Sequence, residues 1–404
     1  MERRHIAIVC GTRPEVIKLA PVFRALRASR RMRVSWIHTG QHDAMARDML
    51  RCFDIVPMLQ FARAEDSLHK FSASCRVWLD MLREQQRWDA CIVQGDTESA
   101  FLGALCAFYG QVPVVHVEAG LRTNDLARPF PEEGIRQMIS RICTLHLAPT
   151  RRAAAALLKE GADPASVVVT GNTVVDAQHW ICARHGIRRP DIPGRGHILV
   201  TAHRREHWGA EMEQMFRAIA DIAVAYPHTR ILFPVHLNPL VQNPARAILG
   251  GLPNVELAAP LGYVQMQRAL CDASLLLTDS GGLQEEAPTF GVPTLVLRKE
   301  TERPEAVEAG CAALVGPGRR EIVAAVRRLM DDPAAAQAMR RAANPFGDGH
   351  AAERTVAAVE RLLGLPLLQP LASARLPRRV APGVQAIAAS IPHAAVTAPL
   401  RSLS

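Results

Sequence analysis

The chain has 404 residues, of which 49% are hydrophobic, so it is long enough to bury two hydrophobic cores. No apolar stretch approaches the roughly 20 residues of a membrane helix, and the N-terminal apolar run is too short for a secretory signal, which argues against membrane insertion. The nine cysteines are scattered, odd in number and without a CxxC pair. We therefore expect a cytoplasmic protein with neither a disulfide framework nor a zinc site.

The formal net charge of +9 suggests an anionic partner. The arginines are spread along helical stretches and no basic run is interleaved with aromatic residues, so nucleic acid is not expected. Part of the excess lies after residue 365, where four arginines face no carboxylate. A solvated basic face or an anionic small molecule explains the charge as well as nucleic acid does.

Short apolar runs alternate with amphipathic helical stretches, which is typical of parallel sheets with crossover helices. The predicted strands are 5–10, 33–39, 90–94, 112–118, 144–148, 166–170, 197–202, 230–235, 254–258, 274–278, 293–297 and 312–315. A Pro- and Gly-rich stretch at 188–194 interrupts the pattern and predicts a domain boundary. The predicted parts are a first domain over 1–185, a second over 186–345, a helix over 346–365 that returns to the first domain, and an unstructured tail over 366–404.

Carboxylates follow two neighbouring predicted strands. Glu118 closes the run 112–118 and Asp96 follows the run 90–94, while Glu132 lies further along the loop that begins at Glu118. Open α/β sheets bind ligands at the carboxyl ends of their strands. The sequence therefore predicts that these three acids converge on one cleft.

Two strand-to-helix turns carry signals for phosphate binding. In the first, Gly11 permits a tight turn, Pro14 suits a first helical position, free amides favour an anion, and Arg13 and Lys18 add positive charge. In the second, the segment Ser280-Gly281-Gly282 lets backbone approach a diphosphate, and Glu286 lies one turn later. An ordinary tight turn between a strand and a helix is the alternative for the second signal.

Two histidines, His203 and His236, end predicted strands of the second half. A histidine packed in the core is the commoner case, but both lie where a cleft between the domains is expected. Three further acids, Glu133, Glu206 and Glu285, are interpreted as helix-start or ion-pair residues, because acidic side chains stabilise helix N-termini.

Nine motifs, in chain order, resemble those of the bacterial non-hydrolysing UDP-N-acetylglucosamine 2-epimerases. They are Gly11-Thr12-Arg13-Pro14-Glu15, Gly95-Asp96-Thr97, His116-Val117-Glu118-Ala119-Gly120-Leu121-Arg122, Pro131-Glu132-Glu133, Thr170-Gly171-Asn172-Thr173, His203-Arg204-Arg205-Glu206, Val235-His236-Leu237-Asn238-Pro239, Thr278-Asp279-Ser280-Gly281-Gly282 and Thr301-Glu302-Arg303-Pro304-Glu305. The resemblance covers about residues 5 to 365.

The resemblance implies a GT-B architecture, in which two Rossmann-like domains hold a nucleotide sugar in the cleft between them. It implies interconversion of UDP-GlcNAc and UDP-ManNAc without a metal or nicotinamide cofactor. It further implies four catalytic residues, Asp96, Glu118, Glu132 and His203. The implied substrate-binding residues are Arg13, Lys18, His236, Ser280, Gly281, Gly282 and Glu286. A homodimer is the default expectation for such a protein.

Several stretches depart from the family pattern, among them Asp43, Met266 and the two that follow. Residues 61–68 replace a loop that relatives use for activation by UDP-GlcNAc at a second site, which puts that regulation in doubt. His207 and Trp208 stand where a small polar residue and Phe are usual.

The alternatives to the epimerase hypothesis are a GT-B glycosyltransferase, a nucleotide-sugar binding protein without catalysis, and a hydrolysing relative that releases free ManNAc. Product analysis separates them.

Overall fold

The computed structural model describes residues 3–61, 67–189 and 196–366. Most of the predicted tail, the stretch 190–195 and residues 62–66 of the departing loop lie outside this part. Within it, thirteen strands form two parallel sheets, one in each half of the chain. The fold is therefore of the doubly wound α/β type that the strand pattern predicted.

The first sheet has seven strands in the order β3-β2-β1-β4-β5-β6-β7. Its strands are β1 (Arg4–Cys10), β2 (Met32–His38), β3 (Leu59–Gln60), β4 (Ala90–Gln94), β5 (Val114–Val117), β6 (Leu145–Ala148) and β7 (Val167–Val169). Its helices are α1 (Arg13–Ala28), α2 (Asp43–Cys52), α3 (Leu68–Gln85), α4 (Glu98–Tyr109), α5 (Glu132–Ile142), α6 (Arg151–Lys159) and α7 (Thr173–His185).

The second sheet has six strands in the order β10-β9-β8-β11-β12-β13. Its strands are β8 (His197–Thr201), β9 (Ile231–Pro234), β10 (Val255–Ala258), β11 (Ala273–Thr278), β12 (Thr294–Val296) and β13 (Ala312–Leu314). The remaining helices are α8 (Ala210–Ala225), α9 (Pro239–Leu249), α10 (Tyr263–Cys271), α11 (Gly281–Glu286), α12 (Pro304–Glu308), α13 (Arg319–Asp331), α14 (Pro333–Arg341) and α15 (Ala351–Leu362).

All twelve predicted strands are confirmed, with ends within two residues of the observed ones. The additional strand, β3, has only two residues and pairs with the end of β2 at the sheet edge. Such a short segment has no apolar period that a sequence could reveal.

Strand order fixes where the loops meet. The order reverses between β1 and β4 in the first sheet and between β8 and β11 in the second. Ligands of open α/β sheets bind at such switch points, beyond the carboxyl ends of the strands. The loops concerned begin at Gly11, Gly95, Ala202 and Asp279, so each contains one of the sequence motifs.

The last helix, α15, packs against α1 and α7 of the first half. Its N-terminus is held by Asp176 of α7, whose carboxylate accepts hydrogen bonds from the backbone N–H groups of Ala351 (3.2 Å) and Ala352 (2.8 Å). Side chains of α1, α7, α10 and α11 belong to one continuous apolar cluster. Among the described helices, none is both long and apolar enough to cross a bilayer.

Candidate active site

Glu118 occupies the end of β5 in a backbone conformation that few residues adopt. Its φ is +63°, in the left-handed region, and its side chain is buried. A non-glycine residue is held there only when its surroundings determine the conformation, as is frequent at functional sites. Gln94, at the end of the neighbouring strand β4, donates a hydrogen bond to Oε2 of Glu118.

Glu118 belongs to a buried group of four charged side chains that we call the ion cluster: Lys18, Glu118, Glu285 and Arg303. Nζ of Lys18 donates a hydrogen bond to Glu118 and lies 2.9 Å from Oε2 of Glu285. Nε of Arg303 donates to the other oxygen of Glu285. The four side chains are between 1% and 13% exposed, and two come from each half of the chain. The cluster therefore joins the two sheets through two cations and two anions.

Asn172, the N-cap of α7, bridges the two carboxylates of the ion cluster. Its Oδ1 accepts a hydrogen bond from the N–H of Val174 (3.0 Å), which leaves only the amide NH₂ for the cluster. Nδ2 lies 3.2 Å from Oε2 of Glu285 and 3.5 Å from Oε1 of Glu118. Helix capping thus fixes which end of this amide faces the acids.

The pKa values of the two carboxylates in the cluster are shifted in opposite directions. Burial raises the pKa of Glu118, against the opposing charge of Lys18. Burial would also raise the pKa of Glu285, but the adjacent Arg303 and Lys18 lower it to about 2. Of the two, Glu118 is therefore the carboxylate whose pKa is shifted in the direction that a general acid or base requires.

Asp96 and the start of α5 form a second group. Nε of Arg136, on α5, donates to Oδ2 of Asp96 (2.7 Å), and its other nitrogens lie 3.3 Å from Glu133 and 3.4 Å from Glu302. Glu132 begins the same helix, is half-buried, and makes no hydrogen bond or ion pair with any residue that the structure describes. Asp96 and Glu118 thus each have their own cation, so mutual repulsion among three acids is not what raises the pKa of Glu118.

The turn after β1 differs from its prediction. The N–H groups of Gly11 (3.0 Å) and Thr12 (2.8 Å) both donate to Oε2 of Glu15, so the predicted free amides at the start of α1 are already occupied. Pro14 is the second helical residue, not the first, since α1 begins at Arg13. The other oxygen of Glu15 accepts from Oγ1 of Thr97 (2.8 Å), and burial raises the pKa of Glu15 to about 7. The turn therefore binds an internal carboxylate through two of its amides.

Two imidazoles lie side by side at the exits of β8 and β9. The rings of His203 and His236 stack with centroids 5.8 Å apart and planes 12° from parallel. Asp279, after β11, is fully buried and accepts hydrogen bonds at Oδ2 from the backbone N–H groups of His203 (2.7 Å) and Arg204 (2.8 Å). The two histidines thus lie at strand exits and outside the buried core.

Helix α11 begins beside this pair. Ser280 is its N-cap, and the N–H groups of Gly281 and Gly282 lie in the first turn, where a helix offers them no internal acceptor. A Cβ placed on Gly281 would stand 3.7 Å from a terminal nitrogen of Arg204. An arginine and a helix start therefore face the same space.

Glu286, at the other end of α11, is buried, and burial raises its pKa to about 7 against the charge of the nearby Arg13. Nε2 of Gln267 donates to its Oε2 (2.5 Å), and Nε2 of Gln178 contacts both Gln267 and the Glu286 carbonyl oxygen. The charge of Arg13, from the first half, thus acts on Glu286 of the second half.

A cleft of about 1330 Å³ opens next to these groups. It is lined by the loop after β5, by α6 and by residues 204, 206, 207, 211, 298–302, 304 and 305. Arg204 and Glu302 lie in its wall, whereas the four ion-cluster side chains are not among the described residues that line it. This volume accommodates a nucleotide-sized ligand.

Three residues of the site had no predicted role. Arg303, Asn172 and Arg136 were given none, although the first two stand in recognised motifs. Glu285 is an ion-pair residue, as expected, but it lies at the centre of the site. Glu133 and Glu206 are ion-paired as expected, with Arg136 and Arg298. In the part of the chain that the structure describes, no group of His, Cys, Asp and Glu side chains has the arrangement of a metal site.

Two parallel-sheet halves with charged side chains between them define an α/β protein of the GT-B type. The family model for UDP-N-acetylglucosamine 2-epimerase matches residues 24–360, most of the chain. The UDP-N-acetylglucosamine 2-epimerase of Bacillus subtilis is 41% identical over 361 residues, covering 88% of this chain and 95% of the relative. The enzyme of the same name from Escherichia coli K12 is 40% identical over 370 residues, covering 88% and 98%.

The solved structure of UDP-GlcNAc 2-epimerase from Neisseria meningitidis bound to UDP-GlcNAc superposes with a TM-score of 0.81. It is 36% identical and covers 88% of this chain and 100% of its own. The chain belongs to the UDP-N-acetylglucosamine 2-epimerase family, and it is therefore an isomerase.

Proposed function

We propose that the protein interconverts UDP-GlcNAc and UDP-ManNAc by inverting C2 of the sugar. The observation that carries this proposal is Glu118, a buried carboxylate with a raised pKa that accepts a hydrogen bond from Lys18 at the exit of β5. The relative from Neisseria meningitidis was solved with UDP-GlcNAc bound, which supports the same ligand here.

The proposed reaction is an elimination followed by an addition. One carboxylate removes the C2 proton while the C1–O bond to UDP breaks, giving UDP and a 2-acetamidoglucal with a C1=C2 double bond. UDP then adds back to C1, and a second group protonates C2 from the opposite face. Two positioned groups are needed because one cannot serve both faces, and Asp96, Glu118 and Glu132 are the candidates.

The departing diphosphate needs positive charge and hydrogen-bond donors. We assign this role to Arg13, His203, His236 and the N–H groups of Ser280-Gly281-Gly282, with Glu286 on the ribose. The stacked imidazoles beside the start of α11 support the assignment. Lys18 acts on Glu118 rather than on the phosphates, since its ammonium lies between the two buried carboxylates.

Product analysis after incubation with UDP-GlcNAc alone tests the proposal. Conversion to a mixture of UDP-GlcNAc and UDP-ManNAc is expected. Consumption only after an acceptor sugar is added would indicate a glycosyltransferase, free ManNAc with UDP would indicate the hydrolysing variant, and binding without turnover would indicate a binding protein.

We also propose that the protein is a homodimer. Apolar side chains are exposed on the adjacent helices α3 and α4: Val77, Met81, Phe108 and Tyr109 are 50% to 62% exposed. A patch of this kind favours a contact between two copies. Sedimentation of wild type against Met81→Glu tests this, with a dimer and a monomer as the expected results.

All nine cysteines are free thiols, which supports a cytoplasmic location where thiols stay reduced. There the product would supply ManNAc units for cell-surface polysaccharide. We also propose that the first domain ends at residue 185 and the second at residue 345.

A further inference from the structure

The stacked imidazoles of His203 and His236 pose an electrostatic problem. Both lie where an anionic diphosphate is proposed to bind, and their rings are 5.8 Å apart. Two imidazolium ions at that distance repel each other, so protonating one ring opposes protonation of the other. The hydrogen bonds around the two rings decide which one carries the charge.

The turn after β9 fixes the tautomer of His236. Its Nδ1 accepts a hydrogen bond from the backbone N–H of Asn238 (3.1 Å), so in the neutral ring the proton lies on Nε2. Asn238 in turn caps α9 through Leu240 (2.9 Å), which fixes this N–H. Protonation of Nδ1 would place two donors against each other. The neutral ring of His236 therefore donates through Nε2.

His203 has the opposite environment. Asp279 is fully buried, and its Oδ2 accepts two backbone N–H groups, while Oδ1 accepts no hydrogen bond from the described residues. That oxygen lies 3.4 Å from Nδ1 of His203. A buried carboxylate with one unsatisfied oxygen favours a cation, or at least an N–H, at that position.

The charged and titratable groups that face His203 are Asp279, Arg204 and His236. Burial lowers the pKa of His203, and Arg204 and His236 lower it further, whereas Asp279 raises it. Asp279 is thus the group that makes an imidazolium attainable when an anion arrives.

We propose that Asp279 is a positioning residue that directs the proton of the imidazole pair to His203. Nδ1–H of His203 faces Asp279 in both charge states. When the diphosphate binds, His203 takes up a proton on Nε2 and donates it as a hydrogen bond, while His236 stays neutral and donates through its own Nε2. The identity of the anion rests on the proposed function, but the assignment of tautomers does not.

Nitrogen-15 NMR of the full-length protein labelled at histidine tests the assignment, because imidazole chemical shifts distinguish the two tautomers and the imidazolium. The His203 and His236 signals are identified with His203→Asn and His236→Asn. In the ligand-free protein we expect the Nδ1–H tautomer for His203 and the Nε2–H tautomer for His236. With UDP near pH 7, His203 should be the imidazolium.

The variant Asp279→Asn keeps an oxygen for the two backbone N–H groups but removes the charge. The titration midpoint of His203 should fall by at least about one pH unit. Calorimetry in buffers of different ionisation enthalpy should show that wild type takes up a proton on binding UDP at pH 7 to 8. At pH 8, Asp279→Asn should lose about ten-fold in affinity for every pH unit by which this midpoint falls, and it should recover that affinity at low pH.

Asp176→Asn is the matched control, because Asp176 is also a buried carboxylate that accepts two backbone N–H groups but faces neither His203 nor His236. It should leave the His203 midpoint unchanged.

The inference is overturned if His236 is the imidazolium, if His203 carries its neutral proton on Nε2, or if Asp279→Asn leaves the midpoint unchanged. If Asp279→Asn does not fold, the tautomers observed in the wild-type protein still test the inference. If the protein binds no UDP, the proposed function is wrong, but the tautomer assignment for the ligand-free protein is unaffected.

Discussion

The ion cluster and the imidazole pair differ in how their charges are balanced. In the ion cluster, two cations and two anions are buried together, and each carboxylate has a partner. At the imidazole pair, the side chain of His203 is 39% exposed, and Arg204 makes no ion pair with the described residues. Charge is balanced where a proton is proposed to move and left unbalanced where the diphosphate is proposed to bind.

Physical chemistry gives a reason for the difference. A buried charge without a partner is strongly destabilising, so acids held in a dry environment must be paired to remain in place. A site for an external anion needs the reverse, because cations already paired inside the protein gain little from a ligand. Changes to the two regions should therefore have different signatures.

The largest effects are expected for the three carboxylates. Asp96→Asn, Glu118→Gln and Glu132→Gln should each lower turnover by about 10²- to 10⁴-fold, because each removes a proton-transfer group. The affinity for UDP should change little, since the diphosphate contacts remain. Rate and binding assays on Glu308→Gln, an exposed ion-pair residue, provide the control. Near-wild-type rates in any two of the three variants would contradict the assignment.

Arg303→Met tests the pairing within the ion cluster. It removes a cation that contacts the buried Glu285, so the free energy of unfolding at pH 7 should fall by about 3 to 5 kcal/mol. Urea titration measures this loss. The exposed ion pair of Arg152 with Glu308 is the matched control, and Arg152→Met should cost about 1 kcal/mol or less.

The loss of stability in Arg303→Met should depend on pH. The pKa of Glu285 is lowered to about 2, so its stabilisation is present above the unfolded-state pKa of about 4.3 and is lost as the pH falls toward 2. Without Arg303 the pKa of Glu285 should rise, and the gap between variant and wild type should narrow through this window. A gap that stays constant would show that Arg303 does not act on Glu285.

For Glu15→Gln, the change of stability with pH should run in the opposite direction. Because burial raises the pKa of Glu15 to about 7, its contribution to stability is complete below the unfolded-state pKa of about 4.3 and is lost as the pH rises through 7. Glutamine keeps an acceptor for Gly11 and Thr12 but cannot ionise. Between pH 4.5 and 8 the variant should gain about 3 kcal/mol relative to wild type. Urea titrations at the two pH values measure this, and equal differences at both would refute it.

Arg13→Ala should act on binding. Loss of a charged hydrogen bond to the diphosphate should weaken UDP binding by about ten- to a hundred-fold. Calorimetry measures the affinity, with Arg27→Ala, in the last turn of the same helix, as the control. Unchanged affinity in Arg13→Ala would remove Arg13 from the site.

The sequence predicts much of this architecture for a physical reason. Buried parallel strands are short apolar runs, and polar residues at their carboxyl ends must meet at one edge of the sheet, as Asp96 and Glu118 do. The two-residue β3 escapes because it is too short to show a pattern.

The partners within the site could not be predicted in the same way. Lys18 and Glu118 are 100 residues apart, and Glu285 and Arg303 come from the other half of the chain. Their pairing depends on how the two halves are oriented, which periodicity does not encode. The occupied amides at α1 are a different case. Thr12 and Glu15 have the spacing of a capping box, a local signal that predicts an internal partner for the N-cap amide.

The proposed reaction removes the C2 proton and delivers a different one to the opposite face. Proton NMR of the protein with UDP-GlcNAc in deuterated water, without added metal or nicotinamide, follows this exchange. UDP-ManNAc with deuterium at C2 is expected, because the new C–H bond takes its hydrogen from a group in exchange with solvent. UDP-ManNAc that retains the original hydrogen, or an unchanged spectrum with either sugar nucleotide, would contradict the proposed reaction.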